Sequence, residues 1–128
     1  MASSSAEFHE SEERLRPETM DYHRGIVSLM EELEAVDWYN QRIDATDDRD
    51  LAAILAHNRD EEKEHAAMVL EWIRRRDPAF DEKLREYLFS QGSIVGREQA
   101  VEARTASANG ASREARSAAT VGSLRGGR

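Results

Sequence analysis

The segment LAAILAHNRDEEKEHAAMVLEWI, residues 51–73, decides the fold that we predict for this chain. Its apolar residues recur at intervals of three and four, which is the spacing of one face of an α-helix. Two polar residues, Glu62 and His65, interrupt this face between Leu55 and Val69. The pattern therefore predicts an amphipathic helix whose packed face carries a carboxylate and an imidazole.

A second amphipathic helix precedes this segment. It begins at Pro17, since proline fits the first helical turn, and the apolar periodicity continues to about Arg42. Gly25 costs roughly 1 kcal/mol inside such a helix, but the periodicity outweighs it. Only the polar stretch 46–48 separates the two helices, and short connections join antiparallel neighbours. We therefore predict an all-α fold built on an antiparallel two-helix hairpin.

The rest of the chain is divided by composition. Asp77 as N-cap and Pro78 at the first helical position predict a short third helix, and from about Gly96 onward no sustained apolar face is left. We predict four parts: a disordered N-terminus (1–16), the hairpin domain with its third helix (17–91), a flexible linker (92–120) and a terminal peptide (121–128).

Charge and composition exclude several classes of function. The chain has a net charge of −8, and residues 1–91 hold 23 acidic against 12 basic residues. Such a body attracts cations and lacks the basic face that nucleic acids require. With no cysteine, thiolate metal sites and disulfides are excluded. The longest apolar run, 51–56, is too short for a membrane span, and the polar N-terminus resembles no secretory signal, so we expect a soluble cytoplasmic protein.

Three residues of the two helices form a candidate metal site. Glu62 and His65 are three residues apart, which makes them neighbours on one helix face. Glu32 lies 15 residues before Asp47, at the centre of the loop, and Glu62 lies 15 residues after it. In an antiparallel hairpin both reach the same height, roughly 22 Å from the turn. Because buried carboxylates need compensation, we predict that Glu32, Glu62 and His65 hold a metal ion.

This set is half of a known type of site. Di-iron carboxylate bundles take a Glu from each of two helices and a Glu-x-x-His pair from each of the other two. Two hairpins related by a two-fold axis would complete it, and carboxylate with imidazole suits iron or manganese. The alternative is a hydrogen-bonded polar layer that only specifies how the helices align.

Two segments that contain these residues resemble a known family. Residues 31–39 (EELEAVDWY) and 57–66 (HNRDEEKEHA) are similar to the encapsulated ferritins, the cargo ferroxidases of encapsulin shells. The resemblance extends over about 18–89, and Gly-Ser-Leu-Arg at 122–125 resembles the peptide that docks such cargo in its shell.

The resemblance implies a ferritin-like fold, in which the antiparallel two-helix hairpin with its short third helix dimerises into a four-helix bundle. It also implies an activity, an assembly and partners. It implies a ferroxidase that oxidises Fe(II) to Fe(III) with O₂ at a di-iron centre shared between two subunits. The dimer would be the site-forming unit of a ring-shaped homodecamer, a pentamer of dimers. The segment Val121–Arg125 would bind the encapsulin shell protein, so that the chain would lie in the cytoplasm inside an iron-storing encapsulin nanocompartment.

The resemblance also implies residue roles. Glu32, Glu62 and His65 would be the iron ligands, and Tyr39 would act beside the centre with Trp38 nearby. Further positions resemble an iron-uptake site and a peripheral cation site that takes Ca²⁺: Glu31 and Glu34 for the first, His57, Glu61 and Glu64 for the second. Alternatively, these acidic residues form a solvated face, and the two aromatic residues only pack at the dimer interface.

Other functions stay open on the residues alone. A non-catalytic metal-binding or assembly adaptor delivered to the shell would need the hairpin only as a scaffold. A di-iron or manganese peroxidase could use the same bundle, and a divalent-cation buffer would bind metal without consuming O₂.

Overall fold

The fold is all-helical over residues 4–122, which are the residues that this computed structural model describes, and no strand occurs among them. A single 3₁₀ turn at Glu12–Arg14 precedes the α-helices. They are α1 (Pro17–Ala45), α2 (Arg49–Arg76), α3 (Pro78–Tyr87) and α4 (Ile94–Gly122). None of them is both long and apolar enough to cross a membrane in this part of the chain.

The predicted antiparallel hairpin is formed by α1 and α2. Three residues join the two helices, and Asp48 is the N-cap of α2, because its Oδ1 accepts a hydrogen bond from the Leu51 amide (3.0 Å). Thr46 Oγ1 in turn accepts from the Asp48 amide (3.2 Å). Side-chain oxygens at these positions satisfy amides that have no partner within the helix, which explains why the chain reverses here.

The hairpin buries little of its apolar surface. Among the described residues only Ala66 and Ile73 form a buried core, and Ile73 is 1% exposed. Several large apolar side chains of α1 and α2 stay exposed in the single chain, among them Leu33, Ile54 and Met68, which is 64% exposed. Apolar surface of this extent is typical of proteins that bury it against a partner.

Asp77 contacts three helices, and it is the N-cap of α3, as predicted. Its backbone amide ends α2 by donating to the Ile73 carbonyl, and its Oδ1 caps α3 by accepting from the Phe80 amide (3.0 Å). Its Oδ2 accepts from the Tyr22 hydroxyl of α1 at 2.7 Å. This hydrogen bond lowers the pKa of Asp77 and raises that of Tyr22 to about 12.

The N-terminal segment that we predict to be disordered, residues 1–16, is described from residue 4 and contacts α1. The Phe8 ring lies 4.7 Å from the His23 ring, and His23 Nε2–H donates to the Ala6 carbonyl (2.9 Å). The single aromatic residue of a polar segment is enough to attach that segment to α1.

The segment 92–120, which we predict to be a flexible linker, lies largely in α4, which is helical from Ile94 to Gly122. Eight of its residues are alanine, the residue with the highest helix propensity. The break before it lies at Phe89 and Gly92, both with positive φ (59° and 81°). The chain divides into two compact units, residues 1–82 and 83–128. The predicted terminal peptide lies outside the described residues from position 123.

Candidate metal centre

Glu32, Glu62 and His65 meet on the hairpin, as the sequence predicted. Each offers a ligand atom, and these atoms lie within 4.8 Å of one another. His65 Nδ1 is 3.2 Å from Glu62 Oε2 and 3.8 Å from Glu32 Oε2. Over residues 4–122 no other group of three or more histidine or acidic residues is this compact.

The two helices contribute in different ways. Glu62 and His65 are held at their spacing by α2 alone, because residues three apart on a helix are neighbours. Glu32 comes from α1, so its distance from them depends on how the two helices align along their axes. The side chain of His65 is 50% exposed, and those of Glu32 and Glu62 are 26% and 23% exposed. The site is therefore half covered and open on one side.

The three side chains of the group shift one another's pKa values. A hydrogen bond with Glu62, followed by desolvation and repulsion, raises the pKa of Glu32. The same hydrogen bond, together with one from His65, lowers the pKa of Glu62. The hydrogen bond to Glu62 also raises the pKa of His65. Positive charge is therefore favoured among these side chains, and a cation can supply it in place of the protons.

The donor atoms fit a first-row metal ion. Two carboxylates and one imidazole nitrogen suit iron or manganese, whereas a soft ion would favour thiolates, which the chain lacks. One chain offers two glutamates and one histidine, which is half of the ligand set that a di-iron carboxylate bundle uses.

The remaining predicted site residues are not brought into such a group within one chain. Glu31 and Glu34 are exposed on α1. On α2, His57 Nε2 lies 3.0 Å from Glu61 Oε1, with both side chains more than half exposed, and Glu64 is exposed as well.

The two predicted aromatic residues differ in burial. Tyr39 is half-buried on α1, and the Arg42 guanidinium lies 5.5 Å from its ring centre. Trp38 is 48% exposed. Such an exposed indole is available for packing against a partner.

Two cross-helix contacts near the site were not predicted. Arg59 Nη1 of α2 donates to Asn40 Oδ1 of α1 (3.1 Å). A Cβ at Gly25 of α1 would lie 2.9 Å from the Trp72 ring. Apolar periodicity carries no signal for either contact, because one is polar and the other involves a residue without a side chain.

The sequence profile of the EncFtn-like family matches residues 7–91 of the chain. The chain is 55% identical to the encapsulated ferritin-like protein of Rhodospirillum rubrum, with 98% of this chain and 93% of that protein covered. It is 51% identical to a ferritin-like protein of Thermotoga maritima over 70% of this chain and 78% of that protein.

A shorter similarity and a solved structure agree with these matches. The chain is 50% identical to the encapsulin nanocompartment cargo protein EncC of Myxococcus xanthus over 41% of this chain and 40% of that protein. The crystal structure of protein ne0167 from Nitrosomonas europaea is similar with a TM-score of 0.67 and 64% identity, covering 68% of this chain and 96% of that one.

Proposed function

Because the chain belongs to the EncFtn-like family, we propose that it is a ferroxidase, which binds Fe(II) as substrate and oxidises it to Fe(III) with O₂. The observation that carries this proposal is the convergence of Glu32, Glu62 and His65 within 4.8 Å on one face of the hairpin. Carboxylate ligands favour Fe(III) over Fe(II) because hard anionic oxygens stabilise the higher charge, so this ligand set favours oxidation.

The complete site requires two chains. One chain supplies three ligand residues, and a second copy related by a two-fold axis supplies the same three, which makes six for two iron ions. The exposed apolar side chains of α1 and α2 supply surface for that dimer. We therefore propose the dimer as the site-forming unit and a ring-shaped decamer as the assembly.

The reaction transfers one electron from each Fe(II) to O₂. Two irons reduce O₂ to the level of peroxide, and four reduce it to water. The chain's own contribution is to bind both ions close together and to release protons from Glu32 and His65 as the ions bind. Binding of Fe(II) therefore weakens as the pH falls, because those protons compete with the metal.

The other predicted residues receive supporting roles in this proposal. Glu31 and Glu34 are exposed carboxylates one residue before and two residues after Glu32, where they would attract Fe(II) to the site. His57, Glu61 and Glu64 would form the peripheral cation site, with Ca²⁺ as its ion. Tyr39 would act as an electron donor beside the centre.

The test is Fe(II) loading without oxygen, followed by admission of air, with O₂ uptake and Fe(III) absorbance recorded. The oxidation rate should fall by about 100-fold in each of three variants, Glu32→Ala, Glu62→Ala and His65→Ala. Each substitution removes a ligand from the site that the two iron ions share. Glu18→Ala, which removes an exposed carboxylate from the same α1, should oxidise iron like the wild type. If the wild type oxidises iron no faster than buffer does, the ferroxidase function is rejected and the non-catalytic adaptor remains as the alternative. Preference for manganese and peroxide would favour the peroxidase.

We further propose that the chain is cargo of an encapsulin shell in the cytoplasm. The names of the Rhodospirillum and Myxococcus relatives support this proposal, and Val121–Arg125 is the segment that we expect to bind the shell protein. Deletion of residues 121–128 should abolish co-packaging with the shell and leave iron oxidation unchanged. Packaging that persists without these residues would show that another part of the chain binds the shell protein.

A further inference from the structure

Gly25 lies in the interior of α1, where a glycine weakens a helix, and the structure provides a reason for it. A Cβ at this position would lie 2.9 Å from Trp72 Cζ3 and 3.1 Å from Cε3. Real Cβ atoms essentially never approach another heavy atom closer than 3.0 Å, so an approach of α1 this close to the present position of the Trp72 ring requires glycine.

The Trp72 ring is partly covered and has contacts that a displacement would break. The Arg76 guanidinium lies 3.9 Å from its ring centre. The next residue on α2, Ile73, is the most deeply buried side chain of the described residues at 1% exposure, and its Cγ1 would lie 3.7 Å from the same Cβ. A Cβ at Gly25 would therefore displace either α1 or the Trp72 ring together with its Arg76 contact.

The contact of Gly25 with Trp72 corresponds to the same alignment of the two helices as the contact of Glu32 with His65. Gly25 lies seven residues before Glu32 on α1, and Trp72 lies seven residues after His65 on α2. Seven residues are two helical turns, about 10 Å. Because the helices are antiparallel, the same alignment that sets Gly25 against Trp72 sets Glu32 against His65, two turns away along both helices.

A shift of one residue between the helices would disturb both pairs together. It moves α1 by about 1.5 Å along its axis, takes Gly25 away from the indole and brings Asp21 or Ser28, which line the same groove as Trp72, closer to it. The other cross-helix contact, from Arg59 to Asn40, is made by a long side chain in an exposed environment, and such a side chain can follow a shift of this size.

We propose that Gly25 and Trp72 are positioning residues that set the axial alignment of α1 against α2 and thereby bring Glu32 to Glu62 and His65. The proposal rests on the proposed function, since it assumes that these three residues bind a metal ion. It concerns how the half-site is assembled within one chain, before a second copy joins it.

The experiment measures binding of Co(II), which avoids iron oxidation, by titration calorimetry of the full chain, with the melting temperature as a second readout. Gly25→Ala should weaken Co(II) binding by about 10-fold or more, the usual effect of disturbing a residue that orients ligands. Gly110→Ala is the matched control, because it makes the same change inside helix α4, where a Cβ would meet nothing within 4 Å. It should leave Co(II) binding unchanged.

The double variant Gly25→Ala with Trp72→Leu distinguishes positioning from general loss of stability. A leucine vacates the space that the new methyl group needs, so the double variant should recover most of the affinity that Gly25→Ala loses, although the indole and its contact with Arg76 are gone. If Gly25→Ala does not fold, the same comparison is made between the double variant and Glu32→Ala.

The outcomes separate this proposal from the proposed function. Wild-type binding of Co(II), loss in Gly25→Ala and recovery in the double variant support the positioning role. Gly25→Ala that binds like the wild type, or a double variant that binds as weakly as Gly25→Ala or Glu32→Ala, overturns it and leaves the metal site intact. A wild type that binds no Co(II) overturns the metal site itself and the alignment proposal with it.

Discussion

Helices α2 and α4 have nearly the same length, 28 and 29 residues, and differ in what keeps them helical. α2 has an apolar face, buries Ala66 and Ile73 and carries two of the three candidate ligands. α4 is rich in alanine, and up to residue 117 only Arg97 and Val101 are partly covered. In α2 the helix is stabilised by tertiary packing, whereas in α4 it depends on backbone propensity and a few local contacts.

The contrast explains why the sequence pattern predicted a helix for α2 and none for α4. Apolar periodicity reports which residues will be packed, and α2 has it. Its absence in α4 indicates little packing, which is correct, but it does not exclude a helix, because alanine favours helical backbone without burying anything.

The largest effect should come from removing the packed side chain of α2. Ile73→Ala deletes most of a side chain that is 1% exposed and should lower the free energy of unfolding by about 2–5 kcal/mol. Tryptophan fluorescence is the measurement, since Trp38 and Trp72 both lie in the hairpin. Ile94→Ala makes the same truncation at a 70% exposed position of α4 and should change stability by less than about 0.5 kcal/mol.

A proline in α4 should reduce the helix content and leave the stability of the hairpin unchanged. Ala106→Pro disfavours the helix locally by about 3 kcal/mol and should reduce far-UV circular dichroism. It should leave the melting curve reported by tryptophan fluorescence unchanged, because Trp38 and Trp72 lie in the compact unit of residues 1–82 and α4 belongs to the other unit. A lowered melting temperature of the hairpin would contradict the contrast between the two helices.

A smaller effect should follow loss of the hydrogen bond between Tyr22 and Asp77, and it should depend on pH. The lowered pKa of Asp77 makes its contribution present above its ordinary value of 3.8 and lost as the pH falls through the lower folded value. The raised pKa of Tyr22 makes its contribution present below 10.0 and lost as the pH rises toward about 12.

Tyr22→Phe should therefore lower the melting temperature at neutral pH. At the acidic and alkaline ends of the pH range, its melting temperature should converge with that of the wild type. Tyr87→Phe, a change of the same kind on α3, is the control. A constant difference between Tyr22→Phe and the wild type across the whole pH range would show that packing of the ring, and not the hydrogen bond, is responsible.

The smallest effect should come from the ion pairs at the start of α4. Glu86 Oε1 lies 3.0 Å from Arg97 Nε and 2.8 Å from Arg104 Nη2. Glu86→Gln should destabilise the first turns of α4 by less than about 1 kcal/mol, since surface ion pairs contribute little. Hydrogen exchange of the α4 amides should become faster, with no change in α2, and high salt should reproduce the effect in the wild type. Glu98→Gln, at an exposed position of α4, is the control.

Much of the candidate site could be predicted from the sequence. The spacing of Glu62 and His65 sets their proximity because both lie on one helix. The equal distance of Glu32 and Glu62 from the loop centre was sufficient to predict that they meet, since the loop is short and both helices are regular. The attachment of Phe8 to His23 could not be predicted in this way, because it joins a segment without periodicity to a helix.

The sequence alone predicted the hairpin, its two helices and the three candidate ligand residues, because periodicity, capping residues and short connections act locally along the chain. How closely α1 and α2 approach and how they align is visible only in the tertiary structure. In the assembly proposed for the site, the alignment depends on the absence of a side chain at Gly25 and on the position of the Trp72 ring, and the bond from Arg59 to Asn40 follows it. These contacts join residues far apart in sequence, and their effect lies in the distances between atoms of two helices, which no pattern within either helix contains.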